Sequence, residues 1–242
     1  MPLPQLNQTI PKYELVIPST QETVKFRPFL VGEQKLLLIA FESKNNKDIL
    51  NSMLECLRAC VPGVNIEKLA AFDVDYMFTQ VRAKSVGETT KVMHPCEHCN
   101  EENDITIKLD DIKMDMSNIS QNNEVKVTDD ITIELQYPTY ANIVKSDVLN
   151  IKEGETPDQG DILMATIQNV IKSVKTPDEH LILKDEPKEE VDKFINSLTN
   201  QQLQKITDFA SNAPTLIHEE VYECKKCKKE NLIVLKGLND FF

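Results

Sequence analysis

Glycine is scarce in this chain, which has six glycines among its 242 residues and no tryptophan. Loops that bind phosphates or dinucleotides are built from closely spaced glycines, because only glycine lets the backbone approach the ligand so closely. The sequence has no such loop, no Gly-x-Ser-x-Gly motif and no His-Glu-x-x-His motif. We therefore expect a protein that is not an enzyme and has no small-molecule substrate.

Long apolar runs and an excess of basic charge are also absent. No stretch of about 18 apolar residues occurs, so we expect no membrane-spanning helix. The N-terminal Met-Pro-Leu-Pro-Gln-Leu-Asn-Gln has neither the basic nor the apolar region of a secretory leader. The net charge of −12 argues against general nucleic-acid binding, which requires a positive surface. These features predict a cytosolic protein that binds other proteins.

Four of the six cysteines form two Cys-x-x-Cys pairs, and each pair lies between two short strand-like runs. This arrangement is typical of zinc knuckles, in which the turn of a β-hairpin presents two thiolates to a metal ion. Two knuckles together supply the four ligands that structural zinc requires. The sequence predicts one structural Zn²⁺ per chain, bound by Cys96, Cys99, Cys224 and Cys227.

Other interpretations of the cysteines and their neighbours are available. A redox-active disulfide is one, although thioredoxin-like pairs lie at a helix N-terminus and not between strands. His94 or His98 is an alternative metal ligand, although we expect both on the surface beside the first knuckle. Cys56 and Cys60 lie four residues apart on the apolar face of a predicted helix, where core packing is the expected role.

A lysine cluster surrounds the second knuckle, at positions 225, 226, 228 and 229. If these side chains pointed outward, the protein would be a zinc-ribbon nucleic-acid-binding or transcription-related protein, which is our alternative hypothesis. The first knuckle instead carries Glu97, Glu101 and Glu102. We therefore expect the two oppositely charged knuckles to attract each other within the molecule.

The order of the predicted elements is the same in both parts of the chain: hairpin, proline, helices, strand, knuckle, strand. We predict an α+β fold of two similar halves that share the four-cysteine zinc site. The predicted segments are an extended N-terminal arm at residues 1–12, a first repeat at 13–110, a linker at 111–124 and a second repeat at 125–242.

Three local predictions concern elements with strongly apolar residues. Residues 32–43 are rich in Leu, Ile and Phe, which predicts a deeply buried helix. A second helix is predicted to begin at Thr156-Pro157-Asp158 and to continue through Val174. The C-terminal Phe241 and Phe242 need a covering surface, which is either the protein's own core or a partner's pocket.

Three segments resemble a known family. They are Met-Pro-Leu-Pro followed by Pro11-Lys-Tyr-Glu-Leu, the long stretch Lys25 to Ser43, and Val81 to Glu88 leading to Pro95-Cys96-x-x-Cys99. Together they resemble the baseplate hub proteins of T-even-type contractile-tailed bacteriophages, mainly over residues 1–110. The resemblance implies a virion tail baseplate component, or a factor that builds the hub in the host cytoplasm, with other tail and baseplate proteins as partners. It implies no catalytic residues.

Overall fold

The computed structural model describes residues 10–120, 122–145 and 158–241. The fold mixes helices and antiparallel strands, which confirms the α+β prediction at that level. Most of the predicted N-terminal arm and the predicted helix start at Thr156-Pro157 lie outside the described residues. Within the described residues, no helix is long and apolar enough to cross a lipid bilayer.

The chain divides into two compact units that do not follow its sequence halves. One unit comprises Met1–Ile66, Phe72–Asp115 and Thr215–Phe242, and the other comprises Glu67–Ala71 and Met116–Pro214. The C-terminal segment therefore belongs with the N-terminal part of the chain, which differs from the predicted repeat boundaries. The physical reason is strand pairing and cysteine clustering over a long sequence separation, as described below.

The first unit begins with a β-hairpin followed by helices. Asn45 caps the second helix, because its Oδ1 accepts hydrogen bonds from the N–H groups of Lys47 at 2.9 Å and Asp48 at 3.3 Å. Lys44, at φ 54°, is left-handed and ends the helix before it. The elements are β1 (Tyr13–Val16), β2 (Thr23–Phe26), α1 (Val31–Ser43), α2 (Asn46–Cys60) and α3 (Ala71–Ser85).

Helix α1 forms as predicted, but the prediction that it is deeply buried is wrong. Leu37 and Ala40 are its buried residues, whereas Val31, Leu38 and Ile39 are exposed. The apolar residues surround the whole helix, yet α1 packs against α2 on one side. Helix α1 therefore has more apolar side chains than the described chain covers.

Two further hairpins complete the first unit, and a fifth strand joins one of them. The strands are β3 (Thr89–Pro95), β4 (Glu102–Lys108), β5 (Lys113–Asp115), β10 (Thr215–Glu223) and β11 (Glu230–Lys236). β5 pairs with β10, with Met114 opposite Leu216. The predicted linker at 111–124 therefore contains a strand, which sequence alone missed because its pairing partner comes much later in the chain.

An apolar core cluster of this unit includes Phe241, near the end of the chain. Ile105, Ile107, Ile233 and Leu235 alternate with exposed residues along β4 and β11 and belong to one buried cluster. Phe241 is 1% exposed in the same cluster, and its carbonyl accepts a hydrogen bond from Thr90 Oγ1 at 3.0 Å. Phe241 thus covers the protein's own core, while Phe242 lies outside the described residues.

The second unit is built on a four-stranded antiparallel sheet in the order β6-β7-β8-β9. Ile133, Ile167, Val170 and Ile206 lie at the centre of its core. The elements are β6 (Glu124–Lys126), β7 (Thr132–Leu135), α4 (Tyr140–Lys145), α5 (Gln159–Val170), β8 (Ile171–Lys175), β9 (His180–Ile182), α6 (Lys188–Asn196) and α7 (Asn200–Ser211).

Helix α5 ends at Val170, so the prediction that it continues through Val174 is wrong. From Ile171 the chain becomes β8, with Ile171 opposite Leu135 and Val174 opposite Ile133 of β7. The β-branched Ile and Val suit a strand. Pairing with β7 provides hydrogen-bond partners for the backbone N–H and C=O groups that would otherwise form hydrogen bonds within a longer helix. The hairpin of β8 and β9 was not predicted.

A partly buried carboxylate, that of Glu134, connects three strands of this sheet. Glu134, whose side chain is 13% exposed, accepts hydrogen bonds from Lys172 Nζ at 2.6 Å and from Ser173 Oγ at 3.1 Å. Lys175 Nζ lies 3.3 Å away, and Ser173 Oγ also contacts His180 Nε2 at 2.8 Å. The hydrogen bond from Lys172 is the main cause that lowers the pKa of Glu134 from 4.5 to about 2.

We predict that Glu134→Gln destabilises the chain at neutral pH by about 1–3 kcal/mol, because it removes the acceptor of charge-assisted hydrogen bonds. Because the pKa of Glu134 is lowered in the fold, its carboxylate contributes its full stabilisation at pH values above the ordinary carboxyl pKa. This contribution is lost as the pH falls from the ordinary pKa through about 2. Urea midpoints measured at pH values from 7 to 2 should show a shallower acid loss in the variant. Glu124→Gln is the control, since Glu124 is half-exposed and pairs with Lys175 at 2.9 Å. Equal effects of the two substitutions would contradict the prediction.

Candidate metal centre

The first Cys-x-x-Cys pair lies in the turn that joins β3 to β4. The N–H of Cys96 donates to the carbonyl of Glu101 at 2.9 Å, and the N–H of Asn100 donates to the carbonyl of Cys96 at 2.9 Å. Asn100 adopts a left-handed φ of 56°, a conformation that asparagine tolerates better than most residues. The turn therefore brings Cys96 and Cys99 to the same end of the hairpin.

The second pair lies in the same kind of turn, between β10 and β11. The N–H of Cys224 donates to the carbonyl of Lys229 at 2.9 Å, and the N–H of Lys228 donates to the carbonyl of Cys224 at 3.0 Å. Lys228 has the left-handed φ of 59°. Each of these residues lies at an offset of 128 from its counterpart in the first turn, like Cys96 and Cys224.

The structure brings all four predicted cysteines together. Their sulfur atoms lie within 4.8 Å of one another, with Cys96 Sγ 3.6 Å from Cys227 Sγ and Cys99 Sγ 3.7 Å from Cys224 Sγ. A tetrahedral ion with metal–sulfur bonds of about 2.3 Å requires sulfur–sulfur distances of about 3.8 Å. A disulfide requires about 2.05 Å, and all four cysteines are free. The geometry therefore suits metal binding better than a redox disulfide.

The electrostatics of the four thiols also favour a cation. The N–H of Cys227 is the main cause that lowers the pKa of Cys224 to about 6. For Cys99 the N–H of Glu101 acts in the same direction, but burial and the other three sulfurs outweigh it and raise the pKa to about 12. Closely spaced thiolates repel one another, so ionisation of one thiol opposes ionisation of its neighbours. A divalent cation removes this conflict by neutralising part of the charge.

Two asparagines, one from each hairpin, form hydrogen bonds to the turn of the other hairpin. Asn103 Oδ1 accepts from the N–H of Lys225 at 2.9 Å, and its Nδ2 lies 3.7 Å from Cys224 Sγ. Asn231 Oδ1 accepts from the N–H of Glu97 at 3.0 Å. Both asparagines are buried. Sequence analysis missed them, although the offset of 128 that relates the cysteines also relates Asn103 to Asn231.

The histidines beside the first knuckle are not among the clustered metal-binding groups of the described residues, which are the four cysteines. His94 Nδ1 instead contacts the hydroxyl of Tyr222 at 3.0 Å, and the two rings meet edge to face at 88°. His94 and Tyr222 are themselves separated by 128 residues. Equivalent positions of the two hairpins therefore touch each other.

The expected attraction between the knuckles is confirmed. Glu101 Oε1 lies 3.7 Å from Lys225 Nζ, and its Oε2 lies 3.2 Å from Lys226 Nζ. Lys228 Nζ pairs with Glu223 of its own hairpin at 3.6 Å. These exposed ion pairs each stabilise the protein only weakly. They nevertheless show that carboxylates of the same unit pair with three of the four lysines.

The remaining cysteines have the core role that was predicted for them. Cys56 and Cys60 are both buried in α2. Cys60 Sγ lies 3.7 Å from a guanidinium nitrogen of Arg27, which forms an ion pair with Glu33 at 2.6 Å. The two thiols are therefore packed among core residues and one internal ion pair.

Comparison with known protein families gives a match over most of the chain. The model of a protein family described as T4 bacteriophage base plate protein matches residues 10–242. The matched range includes both knuckles and all four clustered cysteines. No curated protein and no solved structure matches the chain.

We predict that Cys224→Ser abolishes stoichiometric metal binding and destabilises the chain, because three thiols cannot close the tetrahedral site. Metal content is measured by inductively coupled plasma mass spectrometry, and stability by the melting temperature. Cys56→Ala is the matched control, since it removes a buried thiol outside the cluster and should keep the metal. The shared site is wrong if Cys224→Ser retains both its metal and its melting temperature.

We also predict that Asn103→Ala weakens metal binding by about 10–100-fold without removing a ligand, as substitutions around metal ligands commonly do. The cause is the loss of the acceptor that holds the second turn through Lys225. Competition with a chromogenic chelator measures the affinity, and Asn231→Ala should have a similar effect. Thr106→Ala, on the exposed face of β4, serves as the control. Unchanged affinity in both asparagine variants would show that the asparagines do not position the site.

Proposed function

Because this chain belongs to the T4 bacteriophage base plate protein family, we propose that it is a structural or assembly component of the phage tail baseplate hub. The observation that carries the proposal is the family match, which extends over residues 10–242 and is not confined to one motif. The partners are then other baseplate and tail proteins. The protein acts in the virion tail baseplate and, during assembly, in the host cytoplasm.

The proposed role is not enzymatic. The four clustered cysteines supply a complete ligand set, and a closed site leaves no coordination position for a substrate or a reactive water. The partly buried Glu134 lies among Lys172, Ser173 and Lys175, where its hydrogen bonds join neighbouring strands. These features support a protein whose function depends on its shape and its surfaces.

We propose zinc as the metal, with one ion per chain held by Cys96, Cys99, Cys224 and Cys227. Four sulfur ligands at tetrahedral spacing suit zinc, which needs no redox chemistry to fill a structural role. In zinc-finger peptides such an ion contributes apparent binding free energy of about 10–16 kcal/mol. Here it would connect β3 and β4 to the distant β10 and β11, and so fix the C-terminal hairpin within the first unit.

The two-halves arrangement remains part of the proposal. Its support is the offset of 128, which relates the two knuckle turns, the two asparagines and the contact between His94 and Tyr222. The segment from 125 to 214 contains additional elements, including β8 and β9, which have no counterpart between β2 and β3 in the described chain. We therefore propose that the knuckle hairpins are the duplicated part.

We predict that bacteria infected by a phage lacking this chain accumulate heads but few complete tails, because the proposed hub component is then missing from the baseplate. Negative-stain electron microscopy of the lysates measures this. Supplying the wild-type chain from a plasmid should restore tails, and supplying Cys224→Ser should not. Normal tails without the chain would contradict the proposed function.

Quantitative mass spectrometry of purified particles then distinguishes the two forms of the proposal. A fixed small number of copies per tail identifies a structural subunit. Abundance in the lysate with absence from particles identifies an assembly factor. Salt-dependent DNA binding by the purified chain, without any effect on tails, would instead favour the nucleic-acid-binding alternative.

A further inference from the structure

The outward side of α1 is an apolar surface without internal cover in the described chain. Val31 is 81% exposed, Leu38 56% and Ile39 53%. Val31 and Leu38 lie seven residues apart, so they share one side of the helix, and Ile39 lies beside them. Exposed apolar side chains grouped on one side of a helix are typical of an interaction site.

Two opposite charges lie on the same outward stripe. Lys35 and Glu42 are both exposed, and the spacing of 31, 35, 38 and 42 follows the four-, three- and four-residue steps that keep side chains on one helix face. Lys35 lies three residues before Leu38, and Glu42 lies three residues after Ile39. The stripe therefore has opposite charges at equal distances from an apolar centre.

This pattern is complementary to itself when one copy is reversed. If Leu38 of one copy lies against Ile39 of a second, antiparallel copy, Lys35 faces Glu42 of the second copy. The twofold symmetry of such a contact repeats the same pair on the other side. A parallel arrangement in register would instead place each charge against its own equivalent, which is repulsive.

We propose that α1 forms a homodimer contact in which two copies pack their α1 helices antiparallel, with Lys35 and Glu42 paired across the twofold axis. The occupant of the apolar surface is thus a second copy of this chain. The contact lies outside the metal centre and does not depend on the hub assignment. It covers Leu38 and Ile39 and pairs the two charges.

Sedimentation equilibrium of the full-length, metal-loaded chain tests this proposal. The wild-type chain should be a dimer, and Leu38→Glu should be a monomer over the same concentration range. Lys35→Glu and Glu42→Lys should each weaken the dimer by about tenfold or more, because each makes both symmetric pairs repulsive. Val221→Glu is the matched control: Val221 is 61% exposed on β10 of the same unit, and this variant should remain a dimer.

Mixing the two charge variants gives the most specific test. The chain with Lys35→Glu has two acids on the stripe and the chain with Glu42→Lys has two bases, so an equimolar mixture should form heterodimers of near wild-type affinity. Circular dichroism checks that the variants keep their helices. A wild-type chain that stays monomeric at all concentrations overturns the proposal. So does a dimer that survives Leu38→Glu, or a mixture that fails to recover.

Discussion

The meeting of four cysteine sulfurs is the constraint on which the first unit depends. The sulfurs lie within 4.8 Å of one another, a distance at which four thiolates repel strongly and four neutral thiols offer little attraction. Backbone N–H groups favour ionisation of Cys224, while crowding opposes it at Cys99. The proposed divalent metal would reconcile these tendencies and would close a chain loop of more than a hundred residues. Closing such a loop carries an entropy cost, which the metal site would offset together with the pairing of β5 with β10 and the shared apolar cluster.

The polar groups around the sulfurs make the two knuckles mutually dependent. Asn103 of the first hairpin holds the turn of the second, and Asn231 of the second holds the turn of the first. Either hairpin alone would have two ligands, an incomplete metal shell and an asparagine without its cross-hairpin partner. Buried polar groups are costly when left unsatisfied. This reciprocity explains why the C-terminal hairpin joins the N-terminal part of the chain and not the unit that precedes it in sequence.

Structural features that depend on neighbouring residues could be predicted from the sequence. Features that depend on residues distant in the chain could not. Cys96-x-x-Cys99 between alternating strands predicted the cysteine cluster, because a knuckle is a local structure. β5 and β8 were missed because each is defined by its pairing partner, as with Met114 opposite Leu216. The prediction that the helix would continue past Ile171 was wrong for the same reason, because the backbone from Ile171 pairs with β7. Asn103 and Asn231 show no local signal, and only comparison of the two hairpins in register could have found them.

Helix α1 is an instructive exception, because its sequence pattern and its surroundings disagree. The run of Leu, Ile and Phe predicts burial on all sides, and the fold buries only Leu37 and Ala40. Exposed apolar residues lower solubility without stabilising a monomer, so such a pattern is informative about the assembled state. The opposite charges of Lys35 and Glu42 favour an antiparallel arrangement of the two helices. A non-specific apolar surface would require neither their opposite signs nor their symmetric spacing. A baseplate protein acts among neighbouring subunits. The exposed apolar side chains of α1 are not explained by the fold of a single copy, so we expect them to contact a neighbouring subunit.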